Sequence, residues 1–132
     1  MRILIVEDAD SIRRMIEALV TGRGHEVVAV GNGARGLEAA RAQTPDLILL
    51  DLNLPGAIDG YEVCSRLRAD DKTKLVPILI ISAMDDARSK ERALGAGATA
   101  YYTKPFSPTA LLKEIESLRK NQSGQHKLNV KT

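Results

Sequence analysis

Four short apolar runs each stop at a polar signal, and this repeated pattern narrows the fold more than any other feature of the chain. Residues 3–6 lead to Glu7-Asp8, residues 47–50 to Asp51, residues 78–81 to Ser82-Ala83, and residues 100–102 to Lys104-Pro105. Segments with helical apolar spacing separate the runs. Such alternation is the signature of an α/β domain built on a parallel sheet. If every run is a parallel strand, all four signals gather at one edge of one sheet. They bring three carboxylates, a hydroxyl and an ammonium to one small cavity. That inventory suits a divalent cation and a phosphoryl group held beside a nucleophilic carboxylate.

Five βα units are predicted. The first pairs residues 3–6 with a helix whose apolar positions are Ile12, Met15, Ile16, Leu19 and Val20, with Asp10 or Ser11 as its cap. Residues 26–30 form strand two, and Asn32 caps a helix running to about Ala42, where Thr44-Pro45 stops it. Gly36 inside that helix costs roughly 1 kcal/mol relative to Ala. Strand three, residues 47–50, is apolar throughout, as a central strand covered on both faces should be.

A loop of turn formers, residues 53–60, leads to a helix over residues 61–69. Strand four is residues 78–81. Its helix, residues 86–94, has only Ala87, Ala93 and Leu94 as anchors, so it is the element expected to move most easily. Gly95 and Gly97 close it before strand five, residues 100–102. Alternation there puts Tyr101 and Tyr102 on opposite faces. Ser107-Pro108 starts a last helix with Leu111, Leu112, Ile115 and Leu118 inward. The domain is therefore residues 1–120, and residues 121–132 read as a flexible polar tail.

At 132 residues the chain suits one hydrophobic core. Glu7-Asp8 interrupts the first apolar run too early for a signal-peptide core or membrane span, so a cytoplasmic location without membrane contact is expected. Cys64 is the only cysteine, which excludes an internal disulfide; it should pack beside Leu67. Residues 1–120 carry 17 basic and 17 acidic residues, and the net charge of +2 comes from Lys127 and Lys131. A neutral domain with few aromatics argues against direct nucleic-acid binding.

Ligands of open α/β sheets bind beyond the carboxyl ends of the strands, where strand order reverses. An order of 2-1-3-4-5 sets strands one and three side by side, so Glu7, Asp8 and Asp51 converge. Three close carboxylates repel and raise at least one pKa unless a cation neutralises them. Magnesium, octahedral at about 2.1 Å with one or two carboxylates, waters and phosphate oxygens, fits this set, and manganese should substitute. Zinc is disfavoured without His or Cys. One carboxylate can then attack phosphorus, while Lys104, the Ser82 hydroxyl and the Ala83 N–H supply the donors that the transition state needs.

These residues and spacings resemble the receiver domain of two-component response regulators, the CheY-like family. The resemblance rests on Glu7-Asp8, Asp51 followed by Asn53-Leu54-Pro55, Asp59-Gly60, Ser82-Ala83, Tyr101 and Lys104-Pro105-Phe106, in that order at strand ends, and covers residues 1–120. It implies a doubly wound (βα)5 flavodoxin-like sandwich. It also implies that Asp51 accepts a phosphoryl group from a phosphohistidine on a sensor histidine kinase or histidine phosphotransfer protein. Asp8, Asp51 and the Asn53 carbonyl would hold the metal, with Glu7 acting through water. Ser82 and Lys104 would contact the phosphoryl group, Lys104-Pro105 would be cis, and Ser82 and Tyr101 would act as switch residues. Their movement would remodel the face of helix four, strand five and helix five for a downstream target protein or a second copy of the chain.

The loop from Pro55 to Asp59 is one residue longer than the commonest family pattern. Met84, two residues after Ser82, puts a bulky thioether where it would hinder an attacking water and slow phosphate loss. Ile12 and Met15 belong first to the core stripe, with an apolar docking spot for a histidine-bearing helix as the alternative. Arg13-Arg14, Asp70-Asp71 and the charges of residues 88–92 read as solvated helix faces. His25 and His126 lie away from the cluster and carry no assigned role.

Three rival functions fit less well. A hydrolase working through an aspartyl phosphate needs a second acid for the leaving group, and Asn53 is an amide. A flavin or nucleotide domain wants glycines and hydroxyls after strand one, where Glu7-Asp8-Ala9-Asp10 offers negative charge. An unphosphorylated interaction module usually follows loss of site residues, and none is missing. The expectation is a self-phosphorylating and self-dephosphorylating switch, not a turnover enzyme. With no room for an effector domain, it would act as a single-domain regulator; in a longer chain, the segment from Asn121 would be a linker.

Overall fold

The computed structural model describes the backbone of residues 1–124 and the side chains of residues 1–120. Five strands, β1 (Arg2–Val6), β2 (Glu26–Val30), β3 (Leu47–Asp51), β4 (Ile78–Ser82) and β5 (Ala100–Thr103), alternate with five helices. The helices are α1 (Asp10–Thr21), α2 (Gly33–Ala42), α3 (Gly60–Ala69), α4 (Ala87–Gly95) and α5 (Pro108–Gly124). All strand pairs are parallel and their order is β2-β1-β3-β4-β5, the doubly wound (βα)5 architecture that the alternation predicts. Asp51 and Ser82 are the last residues of their strands, so the ladder fixes their backbone positions.

Alternating side chains on the three central strands feed two cores. Leu4, Val6, Ile48, Leu50, Ile78 and Ile80 pack with α2, α3 and α4, and Cys64 lies beside Leu67 in that cluster. Ile3, Ile5, Leu47, Leu49, Leu79 and Ile81 pack with α1 and α5. Tyr101 joins the first cluster and Tyr102 the second, which is the alternation expected of β5.

Four helices have a side-chain cap: Asn32 accepts from the N–H of Arg35, Asp59 from Glu62, Asp86 from Ser89 and Ser107 from Ala110. Helix α1 departs from expectation. Its N-cap is Ala9, with no side-chain cap, and Asp10 instead pairs with Arg13 inside the first turn. Met15 is 43% exposed and so stands outside the core stripe. Leu94, expected to anchor α4, is 52% exposed; Ala93 is the residue of α4 that is fully buried. Residues 121–124 form the last turn of α5, because extending an existing helix by a turn requires no apolar face. The rest of the expected tail, residues 125–132, including Lys127, Lys131 and His126, lies outside the described residues.

Two glycines bring elements close together. A Cβ at Gly36 would lie 2.9 Å from Val6 Cγ2, so the helix-weakening glycine lets α2 sit on β1. A Cβ at Gly60 would lie 2.4 Å from the Asp51 carbonyl oxygen, and the Gly60 N–H donates to the Leu52 carbonyl at 2.9 Å. Gly60 thus lets the start of α3 rest against the end of β3.

Candidate functional site

Val6 pairs with Leu50 across the central ladder, and the chain then delivers Glu7 from β1 and Asp51 from β3 to the same edge. Glu7 is 2% exposed and Asp51 4%, whereas Asp8 faces solvent. One carboxylate oxygen of each lies within 4.8 Å of the others. Lys104, just past β5, reaches in from the far side. Its Nζ stands 2.9 Å from Glu7 Oε1 and 3.4 Å from Asp51 Oδ2. The Lys104 backbone is tied to β4 by a 2.7 Å hydrogen bond from its N–H to the Ser82 carbonyl, and the Lys104-Pro105 peptide is cis.

Two further contacts shape the carboxylates. Asn53 N–H donates to Asp51 Oδ1 at 3.2 Å, and Ala9 N–H to Glu7 Oε2 at 3.1 Å. Burial and the Glu7 charge push the Asp51 pKa up to about 6, against the opposing pull of Lys104 and the Asn53 N–H. Burial works against the Lys104 ammonium, but its bond to Glu7 and the two carboxylate charges outweigh this and raise its pKa. Three carboxylates face one ammonium, so the cluster keeps an excess of negative charge. Its donors are all hard oxygens, which fits magnesium and gives zinc no nitrogen or sulfur.

Ser82 is fully buried at the end of β4, and its Oγ accepts from the Met84 N–H at 3.1 Å. Tyr101 OH donates to the Met84 carbonyl at 2.6 Å. The Tyr101 ring packs against the core cluster on the side of α2, α3 and α4, as Met84, Ala96 and Ala98 do, and Lys90 Nζ lies 5.9 Å from its centroid. Both residues expected to switch therefore hold the same peptide segment at the start of the β4–α4 loop. Ala83, between them in sequence, is exposed at this edge.

Two residues that the sequence reading passed over have defined work here. Arg13, expected on a solvated face, turns back to the carbonyls of Glu7 and Asp8 at 3.0 and 3.4 Å. Its spacing, one turn or more beyond the acidic pair, was the available signal. Arg68 donates to the carbonyls of Gly97, Val76, Lys74 and Thr73 and fastens α3 to the loops on either side of β4. No sequence pattern marks it, because all its acceptors but the Thr99 hydroxyl are backbone atoms.

The family model for the response regulator receiver domain matches residues 3–116. The chain is 39% identical to the DNA-binding response regulator MtrA of Mycolicibacterium smegmatis over 92% of its own length and 52% of that protein's. It is 36% identical to the response regulator PleD of Caulobacter vibrioides over 89% of its length and 26% of PleD's. It thus spans about half of one relative and about a quarter of the other. A putative response regulator from Chloroflexus aurantiacus superposes with a TM-score of 0.83 at 37% identity, covering 89% of this chain and 95% of that one. The receiver domain of a sensor histidine kinase from Pseudomonas aeruginosa, solved with a magnesium ion coordinated in its active-site cleft, superposes with a TM-score of 0.82 at 32% identity. That match covers 89% of this chain and 95% of the other.

Proposed function

This chain belongs to the response regulator receiver domain family of two-component systems, and from that premise we propose that Asp51 is its phosphoacceptor, charged by a partner phosphohistidine in a magnesium-dependent reaction. One observation carries the reading. A buried aspartate at the end of the central strand faces a lysine ammonium and two further carboxylates.

An Asp51 oxygen attacks phosphorus. The O–P bond forms as the N–P bond breaks, and the bonding pair returns to the imidazole nitrogen. Lys104 offers positive charge to the phosphoryl oxygens, and Ser82 and the Ala83 N–H add donors on the β4 side. Asp8, Asp51 and the Asn53 carbonyl would hold the cation, with Glu7 acting through water. When bound, the cation offsets carboxylate repulsion and neutralises phosphoryl charge. Water later cleaves the acyl phosphate, so the chain is switched and reset and is not a turnover enzyme.

Output runs through the face of α4, β5 and α5 to a downstream protein or a second copy of the chain. The Ser82 hydroxyl accepts from the Met84 N–H and keeps its own O–H to donate to a phosphoryl group; a shift of Ser82 toward that group loosens the segment that Tyr101 also holds. Helix α4, with Ala93 as its fully buried residue, offers little resistance to that change. We place the protein in the cytoplasm, acting through protein contacts and without binding nucleic acid itself. Among the described residues no helix is long and apolar enough to cross a membrane. DNA binding is part of MtrA's name, and this chain spans about half of that protein.

The test is intact-mass analysis after incubation with acetyl phosphate, with and without magnesium, on wild type and Asp51→Asn. A gain of one phosphoryl group that needs both magnesium and Asp51 is expected. A gain that persists in Asp51→Asn overturns the assignment.

A further inference from the structure

Helix α1 begins without a side-chain cap, yet it follows directly on the loop after β1 that carries Glu7 and Asp8. Arg13 does the holding from inside the helix. Its Nη1 donates to the carbonyl of Glu7 at 3.0 Å and to that of Asp8 at 3.4 Å, and its Nη2 pairs with the Asp10 carboxylate. The guanidinium lies along Gly31, just past β2, where a Cβ would sit 3.5 Å from Nη1. Only 21% of the Arg13 side chain is exposed, an unusual placement for a charge on an outer helix face. The Glu7 N–H donates to the Val30 carbonyl at 3.0 Å, so the strand end is pinned on its other side.

We propose that Arg13 is a positioning residue for the acidic cluster: by clamping the carbonyls of Glu7 and Asp8 it fixes the peptide units from which both carboxylates reach the cation. This rests on reading the cluster as a magnesium site. Groups that orient ligands without touching the metal govern affinity because they remove the cost of ordering those ligands on binding.

Electrostatics and positioning make opposite predictions, which gives the proposal its test. Arg13 is itself a cation near a cation site, and it neutralises Asp10. On charge alone, removing it should tighten magnesium binding. Loss of the clamp should weaken it.

Calorimetric titration of the full chain with magnesium chloride, on wild type, Arg13→Ala, Arg13→Lys, Arg14→Ala and Asp51→Asn, decides between them. Amide hydrogen exchange of the metal-free proteins runs in parallel. Arg13→Ala should bind magnesium about tenfold more weakly, within the usual range for outer-shell changes. Its amides at residues 7–9 should exchange faster than those of wild type, and Arg14→Ala should behave as wild type. Arg13→Lys keeps the charge but lacks the planar fork, so it should recover part of the loss. Equal or tighter binding by Arg13→Ala overturns the proposal. If Arg13→Ala does not fold, Arg13→Lys carries the comparison, and wild-type affinity there overturns it equally. Wild type that takes up no magnesium, or Asp51→Asn that binds as well as wild type, removes the magnesium reading. In either case unchanged exchange at residues 7–9 in a folded Arg13 variant separately overturns the clamp.

Discussion

Lys104 Nζ lies 2.9 Å from Glu7 Oε1 and donates a hydrogen bond to Asp51 Oδ2 at 3.4 Å, so the ammonium that faces Asp51 is shared with Glu7. Glu7 and Asp51 are both almost completely buried, and Lys104 is the cation they share. Removing one partner of a buried ion pair leaves a charge without compensation, at a cost of about 3 kcal/mol or more. Lys104→Ala should lose about that much stability at neutral pH in urea unfolding without magnesium. Adding magnesium should return part of it, because a ligand of the folded state stabilises by mass action. A variant as stable as wild type without magnesium would show that the ion pair contributes nothing net.

Asp51 carries the opposite liability. Its pKa in the folded protein is about 6 against an ordinary 3.8, so between these values the folded state holds a proton that the unfolded chain releases. The Asp51 contribution to stability therefore rises as pH falls from above 6 towards 4, and is most unfavourable at neutral and alkaline pH. In metal-free buffer Asp51→Asn should be more stable than wild type at pH 8, with the gap narrowing as pH drops through about 6. Thermal melts of the two proteins across that pH range test it. A gap that widens towards acid would contradict the raised pKa.

Gly60 and Gly95 should respond in opposite ways to the same substitution. A Cβ at Gly60 would meet the Asp51 carbonyl oxygen at 2.4 Å and Leu52 Cα at 2.5 Å, both backbone atoms that cannot step aside. Gly60→Ala should cost about 3 kcal/mol by overpacking and lower Asp51 labelling by displacing the end of β3. At Gly95 a Cβ meets nothing within 4 Å and the backbone is helical. Gly95→Ala should be neutral or stabilise by up to about 1 kcal/mol. Denaturant midpoints for the pair are sufficient to check this.

The fold and the acidic cluster were legible because they depend on periodicity and on where apolar runs stop. Parallel strands leave no choice about which end Glu7, Asp51, Ser82 and Lys104 occupy, and β1 and β3 do sit side by side. What escaped depends on side chains bonding to backbone. Arg13 and Arg68 look like surface charges in the sequence, but most of their acceptors are carbonyls, present at every residue and so invisible as a pattern. The Gly60 contact was visible only as a family motif; its cause is the approach of α3 to Asp51. Leu94 misled because an apolar residue at helical spacing need not face the core in so short a helix.

Met84 separates two roles that sequence alone would merge. Its N–H donates to Ser82 Oγ and its carbonyl accepts from Tyr101 OH, contacts that survive any side-chain change. The thioether packs on the core beneath α4, with its sulfur 3.7 Å from Ser89 Oγ. Tyr101→Phe removes the tyrosine's bond while keeping the ring, and should cost about 1 kcal/mol. Faster amide exchange across the β4–α4 loop and α4 should accompany it, because this bond holds the loop to β5. Met84→Ala keeps both backbone bonds and removes the thioether beneath α4, so beyond any loosening of α4 it should show faster loss of label from Asp51. Following the exchange of α4 and the decay of the labelled mass in both variants separates the two. Unchanged exchange in Tyr101→Phe would remove Tyr101 as the tether of α4, and unchanged decay in Met84→Ala would show that the thioether does not shield the acyl phosphate.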